Sequence, residues 1–153
     1  MQPIPFELTL DELREISTLY PNIEKNSHVG HWAVYIVRKY YLSLDSNATF
    51  TNGKNGADIE VNYLGKTESF EIKGTNDKGL GWGKLKVSSL PCYNALVNGM
   101  KIIRVSNIGN PNVTLHFLEY NKDFTLEVEA RWTIKPVIKA KAGRPKTHIK
   151  LIL

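Results

Sequence analysis

Residues 57–73, with the sequence ADIEVNYLGKTESFEIK, contain two short segments in which apolar and polar residues alternate. A period of two is typical of strands that bury one face. The segments are joined at Leu64, Gly65, Lys66 and Thr67, and Gly65 suits the first central position of a type II′ turn. The stretch therefore predicts a β-hairpin with Gly65 and Lys66 at its turn.

This turn fixes an expected register, with Asp58 opposite Lys73 and Glu60 opposite Glu71, all on one face. Two carboxylates directly opposite each other destabilise a sheet, and a bound divalent cation would relieve the repulsion. Hard cations such as Mg²⁺ take carboxylate oxygens and keep several waters. We therefore expect Asp58, Glu71 and the backbone carbonyl of Ile72 to bind a metal, with Glu60 as a further candidate ligand. Lys73 is placed to hold or deprotonate a water, or to stabilise charge on a phosphate.

Asp58, twelve intervening residues and then Glu71, Ile72 and Lys73 resemble the PD-(D/E)XK nuclease superfamily. The resemblance covers roughly residues 28–106 and includes a predicted helix before the hairpin. It implies hydrolysis of a DNA phosphodiester that leaves 5′-phosphate and 3′-hydroxyl ends, with Asp58 and Glu71 binding Mg²⁺ and Lys73 positioning the attacking water. We expect Mn²⁺ to substitute for Mg²⁺. The alternative is a surface hairpin whose charges are merely solvated.

The chain departs from the family pattern in two places. Ala57 stands where the family often has proline, and the predicted helix has no glutamate near its start, where many members carry one. Glu24, Glu60 or a histidine are the alternatives for completing the metal site. Among the histidines, His28 and His31 lie three residues apart on one predicted helix, a spacing that permits joint ligation.

The remaining elements predict an α/β fold with a restriction-endonuclease-like core, in which helices flank a central mixed β-sheet. Thr9 and Glu12 form a capping box for a helix that ends near residue 20. A second helix is expected at 28–42 with Ser27 as its cap, and a third follows Ser88 or Ser89 and runs to about residue 98. Strands are also expected at 48–50, 84–87, 101–106, 113–120 and 124–134. We expect one domain over residues 1–153.

The chain is basic, with 20 Lys and Arg against 15 Asp and Glu, a net charge of +5. Residues 130–153 carry seven basic residues and no acidic one, which indicates a polyanion as partner; the alternative is a tail that is merely soluble. Within this basic C-terminal segment, Lys141 and Lys146 flank a Gly-Arg-Pro sequence that contains Arg144 and resembles an AT-hook without its first arginine. We expect these three side chains to bind DNA phosphates.

The glycine-rich loop at 74–83 directly follows the second strand of the hairpin. Such a loop can enter a DNA groove, where polar side chains contact bases or phosphates and an aromatic ring stacks or wedges. The candidate DNA-binding residues are therefore Asn76, Asp77, Lys78, Trp82 and Lys84. The alternative is an ordinary exposed loop.

Other function classes are disfavoured by composition. Cys92 is the one cysteine, so neither an intramolecular disulfide nor a cysteine-based zinc site is possible. The N-terminus does not resemble a signal peptide and no apolar stretch could span a bilayer, so we expect a cytoplasmic protein without a membrane partner.

Within the nuclease class, we expect a type II restriction endonuclease that cuts double-stranded DNA at a specific site. Symmetric cutting of both strands implies a homodimer. Two alternatives stay open: a structure-specific or repair nuclease such as a Holliday junction resolvase, and a non-catalytic DNA-binding protein on the same fold.

Overall fold

The computed structural model describes residues 2–127 and 136–137, and its central feature is a six-stranded mixed sheet. The strands are β1 (Pro3–Glu7), β2 (Thr49–Asn52), β3 (Ile59–Tyr63), β4 (Lys66–Gly74), β5 (Lys101–Ser106) and β6 (Asn112–Leu118). The helices are α1 (Leu10–Leu19), α2 (Asn26–Leu44) and α3 (Leu90–Val97), with a 3-10 turn at Trp82–Lys84. The strand order is β1-β6-β5-β4-β3-β2, and the β4–β5 pair is the parallel one. The predicted mixed α/β sheet is confirmed.

The helix boundaries follow local capping chemistry. At α1, the Thr9 hydroxyl accepts a hydrogen bond from the Glu12 amide at 3.1 Å, and the Glu12 carboxylate accepts one from the Thr9 amide at 2.9 Å. Ser89 caps α3 by accepting from the Cys92 amide. Helix α2 begins at Asn26 after Lys25, so Ser27 lies inside the helix and its predicted capping role is wrong.

The sheet buries side chains on both faces. Helix α2 covers one face, where its three-four apolar stripe of Trp32, Ala33, Ile36 and Val37 is buried in one core with Val61, Phe70 and Ile103. Helix α3 covers the other face, where Cys92 and Leu96 pack with Ile102 and Leu118. Glu71 and Lys73 point to the α3 face, because they are paired in register with Ile102 and Arg104 and alternate with the buried Phe70 and Ile72.

The hairpin forms as predicted, but its turn and register differ from the expectation. Leu64 and Gly65 are the two central turn residues, with φ values of 47° and 75°, which is typical of a type I′ turn. The strands therefore pair Tyr63 with Lys66 and Glu60 with Ser69. The predicted pairings of Asp58 with Lys73 and of Glu60 with Glu71 are wrong, because Leu64 adopts a left-handed conformation that is unusual for its residue type.

Three further expectations about strands need correction. Strand β1 was not anticipated, since Pro3 and Pro5 argue against a strand; it lies at the sheet edge, where proline is tolerated. Residues 84–87 form the end of a 3-10 turn and irregular chain rather than a strand. Of the strand expected at 124–134, Phe124 makes an isolated bridge, residues 125–127 are irregular, and 128–134 lie outside the described residues.

Two broader expectations concern the membrane and the C-terminus. Among residues 2–127 and 136–137, no helix has both the length and the apolar character needed to cross a bilayer. The basic C-terminal segment lies outside the described residues except for Pro136 and Val137.

Candidate active site

Asp58 lies just before β3 and is attached to β4 by two hydrogen bonds. Its amide donates to the Phe70 carbonyl at 2.8 Å, and its carboxylate oxygen Oδ2 accepts from the Ile72 amide at 2.8 Å. The Asp58 side chain thus accepts the Ile72 amide where backbone pairing between β3 and β4 has ended. The paired register ends at Ile59 and Phe70, and the Asp58 side chain beyond it lies beside the Glu71 carboxylate.

The Ile72 carbonyl points to the same side as Asp58. In a strand, the N–H and C=O of one residue point to the same edge, and the Ile72 N–H reaches Asp58. That carbonyl therefore lies past the start of β3, where the β3–β4 ladder has ended. The expected oxygen ligand from Ile72 is on the correct edge of β4 for a site shared with Asp58.

Glu71 is the buried carboxylate of the site, with 7% of its surface exposed. Its Oε2 accepts a hydrogen bond from the Cys92 thiol at 3.0 Å, and its Oε1 lies 3.5 Å from the Lys73 ammonium. Burial raises the pKa of Glu71 to about 7; the adjacent Asp58 side chain also raises it, whereas the Cys92 bond and the Lys73 charge lower it. Burial likewise raises the pKa of the Cys92 thiol to about 12, which keeps the thiol protonated as a donor.

The oxygen atoms of this site suit the divalent cation that the sequence implies. Over the described ranges, no group of three or more His, Cys, Asp and Glu side chains is arranged to hold a metal ion. The arrangement offers two carboxylates and a backbone carbonyl, and each carboxylate has one oxygen bonded to a protein donor. This set fits Mg²⁺ or Mn²⁺, which accept few protein ligands and retain water, and does not fit the four-ligand sites of zinc.

Lys73 lines a cleft of about 620 Å³ between the end of β4 and the start of α2. Ile72, Arg104 and Lys84 also line it, and so does Glu24, which precedes α2. Of the three alternatives for a further acidic or imidazole ligand, Glu24 therefore shares a cleft with Lys73. Glu60 lies on the α3 face but opposite Ser69, which is two residues before Glu71 on β4.

The two neighbouring histidines are engaged elsewhere. The His28 Nδ1 accepts from the Asn22 amide at 3.0 Å, and the His31 ring stacks on Tyr20 with centroids 4.2 Å apart. The His28 ring also meets Tyr20 edge to face. These contacts attach the end of α1 to the start of α2, so we assign both histidines a structural role.

The loop that follows β4 is held by a buried arginine. Arg104 is 2% exposed and donates to the carbonyls of Leu80, Gly74 and Gly81 at 2.6, 3.0 and 3.1 Å. It stands beside Lys73 on the adjacent strand. The loop is thus attached to the sheet at both its beginning and its middle, which fixes where Trp82 emerges.

The candidate DNA-binding residues of this loop divide into two groups. Asn76 donates to the Ile23 carbonyl, and Lys84 pairs with Asp77 at 3.0 Å, so these three side chains stabilise the loop itself. The hydrogen bond from Lys84 lowers the pKa of Asp77. Lys78 and Trp82 are exposed, with Trp82 47% accessible, and remain available to a partner. Lys141, Arg144 and Lys146 lie outside the described residues.

Two residues of the site were missed at the sequence level. Arg104 carried a signal, since a charge interrupts the apolar strand at 101–106. Cys92 carried none, because its contact with Glu71 joins residues from separate elements. Comparison with known proteins finds no matching family model, no similar curated protein and no similar solved structure.

Proposed function

We propose that this chain is a Mg²⁺-dependent endonuclease that hydrolyses phosphodiester bonds in double-stranded DNA. One observation carries the proposal: Asp58, Glu71 and Lys73 converge where β3 meets β4. Two adjacent carboxylates, one of them buried, are unfavourable unless a cation or a proton accompanies them. The hydrogen bond that holds each carboxylate supports a cation as this companion.

The roles of the side chains follow from their positions. Asp58, Glu71 and the Ile72 carbonyl would hold Mg²⁺, which supplies Lewis-acid activation of the phosphodiester. Lys73 orients the attacking water with its ammonium group and stabilises the negative charge that develops on the phosphate. Its pairing with Glu71 keeps that ammonium group beside the buried carboxylate.

The substrate class is supported by the charge of the sequence and by the fold. A restriction-endonuclease-like core is consistent with the mixed sheet, the parallel β4–β5 pair and the helices on both faces. The chain is basic, and Lys78 and Trp82 are exposed on the loop beside the site. Site-specific cutting of both strands of a duplex would require a homodimer.

Plasmid cleavage tests the proposal. The purified wild-type protein is incubated with supercoiled plasmid in Mg²⁺, Mn²⁺ or EDTA. The variants Asp58→Ala and Lys73→Ala are assayed in the same way, with Lys66→Ala, at an exposed residue of the hairpin, as the control. We expect metal-dependent cutting by the wild type and Lys66→Ala, and none by the other two, which still shift DNA on a gel in Ca²⁺.

The pattern of cutting then identifies the kind of nuclease. Discrete plasmid fragments indicate a restriction endonuclease, whereas cutting of branched DNA alone indicates a junction resolvase. DNA binding without any cutting in Mg²⁺ or Mn²⁺ would leave only a non-catalytic role. Full activity in Asp58→Ala or Lys73→Ala would remove the site assignment.

A further inference from the structure

We infer that Cys92 is a positioning residue of this site, whose thiol holds the Glu71 carboxylate in the orientation that binds a divalent cation. The inference rests on the proposed function and deepens it. It assigns a role to α3, which supplies none of the residues that the sequence motif identifies.

The direct evidence is the contact of the thiol with Glu71. Cys92 is 5% exposed, and its Sγ donates to Glu71 Oε2 at 3.0 Å. Glu71 Oε1 faces Lys73. The two oxygens therefore have different partners, so the carboxylate cannot rotate without losing one of them. A hydrogen bond to the second oxygen of a metal-binding carboxylate is a common way to orient such a ligand.

An independent contact connects the same turn of α3 to Asp58. Gly56, two residues before Asp58, packs against the backbone of Pro91 and Cys92: a Cβ there would overlap the Pro91 carbonyl and lie 2.5 Å from the Cys92 amide nitrogen. Gly56 also has a φ of 91°, which side chains other than glycine rarely adopt. The first turn of α3 therefore sets the position of the segment that carries Asp58 as well as the orientation of Glu71.

The turn itself is fixed by its cap. Ser89 accepts from the Cys92 amide at 3.3 Å, and Pro91 occupies the first turn of α3. Leu96, one turn further along, is fully buried in the same apolar cluster as Cys92. Its side chain has no polar atom that could form a hydrogen bond with either carboxylate. It provides a control for the loss of packing alone.

Titration with Mn²⁺ alone, followed by electron paramagnetic resonance in the absence of DNA, tests the inference. Loss of an orienting hydrogen bond costs about 10–100-fold in metal affinity, and a weak thiol donor places Cys92→Ala near the lower end of that range. Cys92→Ser retains a donor, and we expect it to bind more tightly than Cys92→Ala. Leu96→Ala should lower the melting temperature while leaving Mn²⁺ affinity unchanged.

The Mn²⁺ concentration needed for half-maximal plasmid cutting is a second measurement, and loss of core packing alone should not change it. Plasmid cutting by Cys92→Ala should require more Mn²⁺ for half-maximal rate and recover at saturating Mn²⁺, because the residue acts through the metal ligand and not on the substrate. If Cys92→Ala does not fold, the inference requires Cys92→Ser to bind Mn²⁺ more tightly than Cys92→Val, which has no donor.

Two results would overturn the inference: wild-type Mn²⁺ affinity in Cys92→Ala, or an equal loss in Leu96→Ala. Absence of Mn²⁺ binding by the wild-type protein is a different result, since it removes the metal site itself and the proposed function with it.

Discussion

Replacement of Glu71 by glutamine should stabilise the metal-free protein while abolishing cation binding. The carboxylate is almost fully buried, and burial raises its pKa from the ordinary 4.5 to about 7. A difference of that size corresponds to an upper limit of about 3 kcal/mol for keeping the charged form folded. Since glutamine is neutral and of similar shape, we expect Glu71→Gln to raise the free energy of unfolding by about 1–3 kcal/mol above pH 7.

The sign of the pH dependence follows from the direction of that shift. Because the folded-state pKa lies above the unfolded one, Glu71 favours folding when protonated, and this contribution is lost as the pH rises from about 4.5 through about 7. The stabilisation by Glu71→Gln should therefore be large at pH 8 and small near pH 5. Mg²⁺ should raise the stability of the wild type at pH 8 but not that of Glu71→Gln.

Urea denaturation at pH 5 and pH 8, each with and without Mg²⁺, measures these effects. Glu60→Gln is the matched control: this carboxylate lies on the same face but is only half-buried, and we expect changes within about 0.5 kcal/mol. A Glu71→Gln protein that is less stable than the wild type at pH 8, or whose difference in stability from the wild type is the same at both pH values, would refute the reasoning.

Three further predictions concern the surroundings of the site. Gly56→Ala should destabilise the protein by more than about 1 kcal/mol and weaken metal binding, whereas Gly83→Ala, where a Cβ meets nothing, should change little; thermal melting distinguishes them. Arg104→Met should destabilise the protein by about 2 kcal/mol or more and expose the loop at 74–83 to protease, because three carbonyls lose their donor. DNA affinity measured between 50 and 200 mM salt should fall by about tenfold or more through counterion release, and a flat dependence would contradict phosphate binding by the basic C-terminal segment.

Local chemistry made much of the fold predictable. The capping box at Thr9, the Ser89 cap and the apolar stripe of α2 were visible in the sequence because each depends on residues a few positions apart. The two strands of the hairpin were predictable from the alternation of apolar and polar residues. The register of the hairpin was not predictable, because the turn residues are set by the left-handed conformation of Leu64.

The observed register changes which carboxylate lies beside Glu71, and with it the pair that would bind a metal. The sequence placed Glu60 opposite Glu71, whereas in the structure the carboxylate beside Glu71 is that of Asp58, so the two carboxylates named by the motif are the adjacent pair. The turn lies one residue earlier than predicted, which moves the partner of each strand residue by two positions, so every side chain kept its predicted face. Cys92 and Arg104 could not be assigned in advance, because their partners come from distant parts of the chain.

Anomalous diffraction from crystals soaked in Mn²⁺ tests the central claim most directly. We predict a peak at which oxygens of Asp58, Glu71 and the Ile72 carbonyl meet, present in the wild type and absent from Asp58→Asn. A well-ordered site without such a peak at millimolar Mn²⁺, or a peak bound by other residues alone, would contradict the account.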